Sequence, residues 1–420
     1  MRKILVGIII LLLLIPSVVS ISINNTTQSK NGNILYVGGI GPGNYTRIQN
    51  AIDNASDGDT VFVYNESSPY YENIIIDKSI SLIGENKNNN IIDGSNKKIA
   101  VKVIADYVNI SGFTIQYGYL FGIEINSMYN TIMNNIFTEQ AYGIKLHKSS
   151  YNSIISNIIS NNGEGIWIWH SNINMIRDND FSNNGWGVDL IDSQNNDIFY
   201  NNISDNKYGI ALFSSNYNII KGNTISLNRE DGIMLRSDRN NISCNNISKN
   251  KNGISIGKAN NNSITNNNIK NNDNGIFMES TIYIYGNIVF HNNFINNGWN
   301  ARVHNSDIIW DDGEFGNYWS DYREKYPFAR KILEKGIWDT PYEVPYGFHK
   351  DNCPLIKPWP EIKSRDLPEN TAPVISNGKG SPNKDYTQNS ITFQDKRTIP
   401  DQPVLFLWAI FSLHFRLAQA

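Results

Sequence analysis

Three residues with complementary chemistry stand 22 positions apart: Lys148, His170 and Asp192. A cation, an imidazole and a carboxylate held side by side could neutralise a sugar acid, take a proton and return it. That is the work of a uronate lyase or epimerase. A second set comprises Lys145, His147, Trp167, Trp169, Asp189, Phe213 and Arg236. Rings flanked by charged groups suit the apolar face and the hydroxyls of a sugar. The plainer alternatives are three solvated corner residues in the first case, and rings packed under a loop or a partner in the second. Which description applies depends on the element that carries them.

That element is a repeat. Gly followed by an aliphatic residue recurs at Gly122, Gly143, Gly165, Gly187, Gly209, Gly232, Gly253 and Gly275, in steps of 21 to 23 residues. Asn130, Asn152, Asn174, Asn196, Asn218, Asn240 and Asn262 keep a spacing of 22, as does the series from Asn135 to Asn267. A third series runs from Asn162 to Asn272, and past Tyr283 the register shifts by three. After each Gly, residues alternate: Ile166 and Ile168 against Trp167 and Trp169, then Val188 and Leu190 against Asp189 and Ile191. Period two is the mark of a strand. Two further apolar files start at Ile132 and Phe137. Three short apolar files per 22 residues predict an all-β single-stranded solenoid with three strands per rung, a parallel β-helix. Stacked Asn amides one strand spacing apart can hydrogen-bond as ladders.

In this frame Lys148, His170 and Asp192 occupy the fifth position after Gly on consecutive rungs. The aromatic set occupies the second and fourth positions, facing outward, with neighbours ~4.8 Å apart. Glu124 and Asp189 share a file three rungs apart, ~14 Å. Paired carboxylates of a glycoside hydrolase need ~5–9.5 Å, so this pair does not qualify. The surface predicts binding more than cleavage.

The remaining chain frames the solenoid. Residues 1–20 read as a signal peptide, with Arg2 and Lys3 before an apolar run too short to span a bilayer. Residues 21–33 read as a disordered leader, and 34–121 as an N-terminal cap and early rungs, with a short helix over 45–55 closing the open end. The regular repeats occupy 122–297, and an aromatic C-terminal cap 298–360. Residues 361–420 read as a linker and a poorly ordered tail. From about Lys384 the Asn and Ile bias is lost, as in a truncated or out-of-frame remnant. A net charge of -3 with no basic run beyond the extreme N-terminus argues against nucleic acid. The two cysteines, Cys244 and Cys353, form neither a metal-ligand spacing nor a disulfide framework.

Several motifs outside the repeats carry a family resemblance. They include Gly43-Asn44-Tyr45-Thr46, Gly58-Asp59-Thr60-Val61 and Ile91-Ile92-Asp93-Gly94. After the repeats come Trp310-Asp311-Asp312-Gly313, Gly316-Asn317-Tyr318-Trp319-Ser320-Asp321-Tyr322 and Asp339-Thr340-Pro341-Tyr342. Over about residues 34–360 the chain resembles the secreted NosD-like β-helix proteins. The resemblance implies a right-handed coil. It also implies two functional labels, periplasmic copper handling and carbohydrate binding or hydrolysis, and in relatives a Ca²⁺-suited acidic loop. Here that loop is the basic stretch 323–331, without a run of hard oxygen ligands. For copper, only His147 and His170 fall on adjacent rungs. The reading is therefore a secreted or cell-surface β-helix that binds a polysaccharide. The alternatives are a carbohydrate-active enzyme, a copper-handling protein and a structural surface-layer element. Oligomeric state does not follow from the sequence.

Overall fold

The structure is a computed structural model. It describes residues 32–360, apart from 279–282, 305 and 347–348. The expected signal peptide, most of the leader and the tail lie outside the described residues.

One coil shows why the sequence folds as it does. Glu164–Trp169, Met175–Arg177 and Asp180–Ser182 are successive strands, and each pairs in parallel with the strand 22 residues later. Repetition builds three parallel sheets. Sheet A has 13 strands, from Ile34–Val37 to Ser306–Ile309. Sheet B has 12, from Tyr70–Tyr71 to Tyr318–Trp319. Sheet C, which carries the Gly-led strands, has 11, from Ile74–Ile76 to Trp299–Arg302. The chain is an all-β parallel solenoid of about 13 turns.

The apolar files fill its interior. Ile132, Ile154, Ile176 and Ile198 pair in register, as do Phe137, Ile159, Phe181 and Ile203, and all are fully buried. Each Gly faces the same interior at a corner. A Cβ on Gly143 would lie 2.7 Å from the Gly165 carbonyl and 3.1 Å from Ile159, so no larger residue fits without displacement.

The corners are held by amides. Asp178, in the left-handed region at φ 56°, turns the chain into Asn179. Asn157 donates both its backbone N–H and its Nδ2 to Asn179 Oδ1, at 2.9 and 3.1 Å. Asn179 repeats the pattern on Asn201 and also donates Nδ2 to the Ile154 carbonyl at 2.8 Å. The three expected ladders thus satisfy backbone groups that a tight corner would otherwise leave unpaired. The register shift past Tyr283 is carried without a break, since Asn262 bonds Asn287 across 25 residues. A fourth ladder joins Ser149, Ser171, Ser193, Ser215 and Ser237 through backbone N–H to hydroxyl bonds of 2.8–3.1 Å.

Both ends of the described coil are covered. The N-terminal helix is shorter than expected, Ile48–Asn54, because Tyr45 bridges Val37 in extended backbone. Ile48, Ala51 and Ile52 are buried against the first rungs. Glu72 caps this helix from a neighbouring segment, accepting the Ile48 and Gln49 N–H groups at 2.8 and 3.1 Å. At the other end Trp310, Trp319, Tyr322, Trp338 and Tyr342 are buried, with Trp319 stacked between Phe294 and Tyr342 at 4.5 and 4.1 Å. Trp299, expected among them, is instead 46% exposed, because it ends sheet C on the outer face. The coil also continues past residue 297, through Ser306–Ile309 and Tyr318–Trp319.

Candidate functional site

The outward positions of sheet C bring the expected residues onto one face. Lys145 pairs with Trp167, Trp167 with Asp189, and His147 with Trp169 in Cα register. Ile191 and Phe213 continue the second file, and Phe213 pairs with Arg236. Trp167 and Trp169 lie parallel, 5.4 Å between ring centroids, and His147 stacks on Trp169 at 4.6 Å.

This face is more covered than a list of outward positions suggests. Lys145 is 8% exposed and Asp189 only 1%. Lys145 Nζ is bonded to Glu124 at 2.9 Å and lies over the rings of Phe121 and Trp167 at 4.4 and 5.3 Å. It serves a shielded ion pair rather than a free cation. Trp167 and Trp169 are half-buried, and Trp167 Nε1 is buried with no hydrogen-bond partner among the described residues.

The cover comes from residues just before each Gly, a position the repeat frame did not assign outward. Tyr142 stacks on Trp167 at 5.0 Å, and Trp186 stacks on Tyr208 at 4.1 Å. Trp186 also meets Phe213 edge-on at 6.1 Å. Strict alternation counted back from the aliphatic residue would turn these side chains inward. Instead Gly and the residue after it both face the interior, so the residue before Gly emerges on the outer face. The signal was legible in the aromatics Phe121, Tyr142, Trp186 and Tyr208, each directly preceding a repeat Gly. With Trp167, Trp169 and Phe213 they make an aromatic floor in two clusters, Phe121–Tyr142–Trp167–Trp169 and Trp186–Tyr208–Phe213, with Glu164 at the equivalent position on the rung between.

The floor shifts its titrating groups. Burial, then Lys145 and Lys148, pull the His147 imidazole below its ordinary value. Burial pushes the Tyr208 hydroxyl up. Burial likewise raises the Asp231 carboxyl, although Asn252 and Ser255 donate to it at 2.7 and 2.8 Å.

Lys148, His170 and Asp192 sit on consecutive rungs at the corner after sheet C. All three are exposed and in the left-handed region, at φ 53°, 49° and 48°. Their backbones stack directly, with N–H to carbonyl bonds of 3.0–3.1 Å to the next rung. Ser214 on the following rung has the same φ, 49°, so the conformation belongs to the corner and not to these three residues. Desolvation pushes the Asp192 carboxyl up, opposed by His170.

The copper implied by the resemblance does not fit these residues. Among the described residues no three His, Cys, Asp or Glu gather as a metal-holding group. His147 and His170 both pack on the Trp169 ring, at 4.6 and 5.0 Å. Cys244 and Cys353 are free, and burial raises both thiols, away from the thiolate a soft metal prefers. Asp311 and Asp312 do turn chemistry: they accept the Gly313, Glu314 and Phe315 N–H groups at 2.7–3.1 Å.

Comparison with known proteins adds family identity. A profile described as periplasmic copper-binding protein (NosD) matches residues 201–324, and one described as right handed beta helix region matches 98–233. No curated protein matches. Among solved structures, the Azotobacter vinelandii mannuronan C-5 epimerase AlgE4 A-module is similar at 14% identity and TM-score 0.41, covering 62% of this chain and 90% of that one. An alginate lyase from a Paenibacillus species is similar at 14% identity and TM-score 0.44, covering 52% and 91%. The Geobacillus virus E2 protein ORF18 is similar at 16% identity and TM-score 0.49, covering 73% and 64%. No helix among the described residues is long and apolar enough to cross a membrane. The two profiles, together spanning residues 98–324, and the parallel coil observed there support a NosD-like parallel β-helix family for this chain.

Proposed function

We propose that the chain is a secreted or envelope protein that binds a polysaccharide along the outer face of sheet C. The observation that carries this reading is the aromatic floor formed by Tyr142, Trp167, Trp169, Trp186, Tyr208 and Phe213, edged by His147 and Arg236. Rings of this kind offer apolar surface to sugar C–H groups, and the flanking polar groups meet hydroxyls. A repeating ligand suits a repeating surface, since equivalent positions recur at each rung. The signal-like N-terminal sequence supports export.

Catalysis is the second reading, favoured by one observation. Asp192 lies next to His170 at the same corner, with Lys148 one rung further, and burial pushes its carboxyl up against the pull of His170. A glycan array on residues 21–360, with a Trp167→Ala, Trp169→Ala variant beside it, tests the binding reading. Binding lost in the variant supports a site on sheet C. Glycans that bind are then assayed for cleavage or epimerisation, with Asp192→Asn as the control for the second reading. No binding by either protein would favour a structural surface element.

A further inference from the structure

At the C-terminal end of the same outer face, the last strand of sheet C ends in Arg302. Its guanidinium carbon lies 5.6 Å from the Phe277 ring, 5.8 Å from Trp299 and 5.1 Å from Tyr346. Three rings therefore surround one cation. Its Nε is buried without a hydrogen-bond partner, and among the described residues no carboxylate pairs with the guanidinium. Burying a guanidinium edge without an acceptor costs free energy that ring contacts only partly offset. A purely structural Arg at such a place would be expected to pair with an acid, as Lys145 does with Glu124.

The surroundings point the same way. Trp299 and Tyr346 are 46% and 47% exposed, so the cage is open at its rim. Tyr346 also walls a cleft of about 400 Å³ that includes Lys325, His349 and Lys350. One acid opposes them: Glu343, held by Lys350 at 3.3 Å.

We propose that Arg302, caged by Phe277, Trp299 and Tyr346, is an oxyanion subsite that takes a carboxylate or sulfate group of the polysaccharide bound on sheet C. This rests on the polysaccharide reading. The subsite lies six rungs from Trp167 along the registered file, roughly 29 Å at one strand spacing per rung. One chain lying along the face would meet both. A planar guanidinium matches a carboxylate bidentately, and a desolvated one does so more strongly than an exposed one.

The test uses the full chain and isothermal titration with three kinds of probe. These are uronate polysaccharides (polygalacturonate, alginate, hyaluronan), their carboxyl-reduced forms, and sulfated chains without carboxylates (dextran sulfate, cellulose sulfate) beside their unsulfated parents. Wild type is expected to prefer an anionic chain to its neutral counterpart. Arg302→Gln should weaken the anionic chain about tenfold or more and leave the neutral one unchanged. Arg302→Lys, which keeps the charge and the cage but loses the fork, should fall between them and covers the case in which Arg302→Gln does not fold. Uronate and sulfated arms separate the two sources of oxyanion. Equal binding of anionic and neutral chains, or equal loss of both in Arg302→Gln, would overturn the subsite and leave the polysaccharide reading standing. Binding of no probe at all would overturn the subsite, while binding of other glycans on the array would still preserve the broader reading.

Discussion

At the scale of single residues, the outer face of sheet C mixes two tasks. Lys145 stands among the rings but is committed to Glu124 at 2.9 Å, and both side chains are nearly covered. Removing one member of a buried pair leaves the other charge uncompensated, at a cost of about 3–5 kcal/mol. Lys145→Ala is therefore expected to lower stability by about that amount, measured by denaturant unfolding. An effect within ~0.5 kcal/mol would be that of an ordinary surface lysine. Trp167 and Trp169 are half-buried and, under the proposed reading, are the ligand contacts. The register of the face was legible in the sequence because position after Gly fixes direction. Its cover was not, because direction says nothing of what lies on top. Asp189 points outward beside Trp167 on the adjacent rung and is still buried. The pre-Gly aromatics escaped for a different reason: the alternation breaks at the Gly corner.

At the scale of the element, the coil depends on its amide ladders as much as on its apolar files. Asn179 accepts two bonds from Asn157, donates two to Asn201 and satisfies the Ile154 carbonyl. Asn179→Ala would leave buried donors and a buried carbonyl unpaired, and should cost about 2–5 kcal/mol. Denaturant unfolding of the variant checks this, and a loss under ~0.5 kcal/mol would show that the corner holds itself. These ladders were readable from spacing because each uses one residue type at one interval. The serine ladder was less visible, since Ser149 to Ser237 runs beside the varied corner residues Lys148, His170, Asp192 and Ser214. The second Asn ladder ends on a different group. Asn292 bonds Asn317, and the Asn317 N–H finds Asp351 Oδ2 at 2.7 Å, where Trp319 Nε1 also donates at 2.8 Å. Burial pushes the Asp351 carboxyl up to about 7, against the pull of these donors. A carboxyl raised from its unfolded value near ~4 makes the native state bind the extra proton between about pH 4 and 7. Its contribution to stability therefore falls as pH rises through that window and is level above it. The melting temperature of wild type minus that of Asp351→Asn should decline from pH 4 to 7. A difference that stays level over that range and falls only below about pH 4 would mean that the donors, not burial, set the carboxyl.

At the scale of the whole molecule, a parallel coil is stable only while its ends are covered. The aromatic cap was legible as a density of rings, and Trp319, Tyr322, Trp338 and Tyr342 do bury there. The Arg302 cage was not legible, because Tyr346 arrives from the cap while Phe277 and Trp299 come from successive rungs. A chain cut to residues 32–297 should expose the sheet edges and associate, which size-exclusion chromatography would show. A monomeric, cooperatively folding fragment would instead place the stability in the rungs alone. Between its caps the molecule offers one long face with an aromatic floor, and the proposed binding depends on that face. Its most direct test is isothermal titration of an array-selected polysaccharide into wild type and into Trp167→Ala, Trp169→Ala. Binding on this face predicts a Kd weakened at least about tenfold in the double variant, with cooperative unfolding retained. An unchanged Kd in a folded double variant would contradict it.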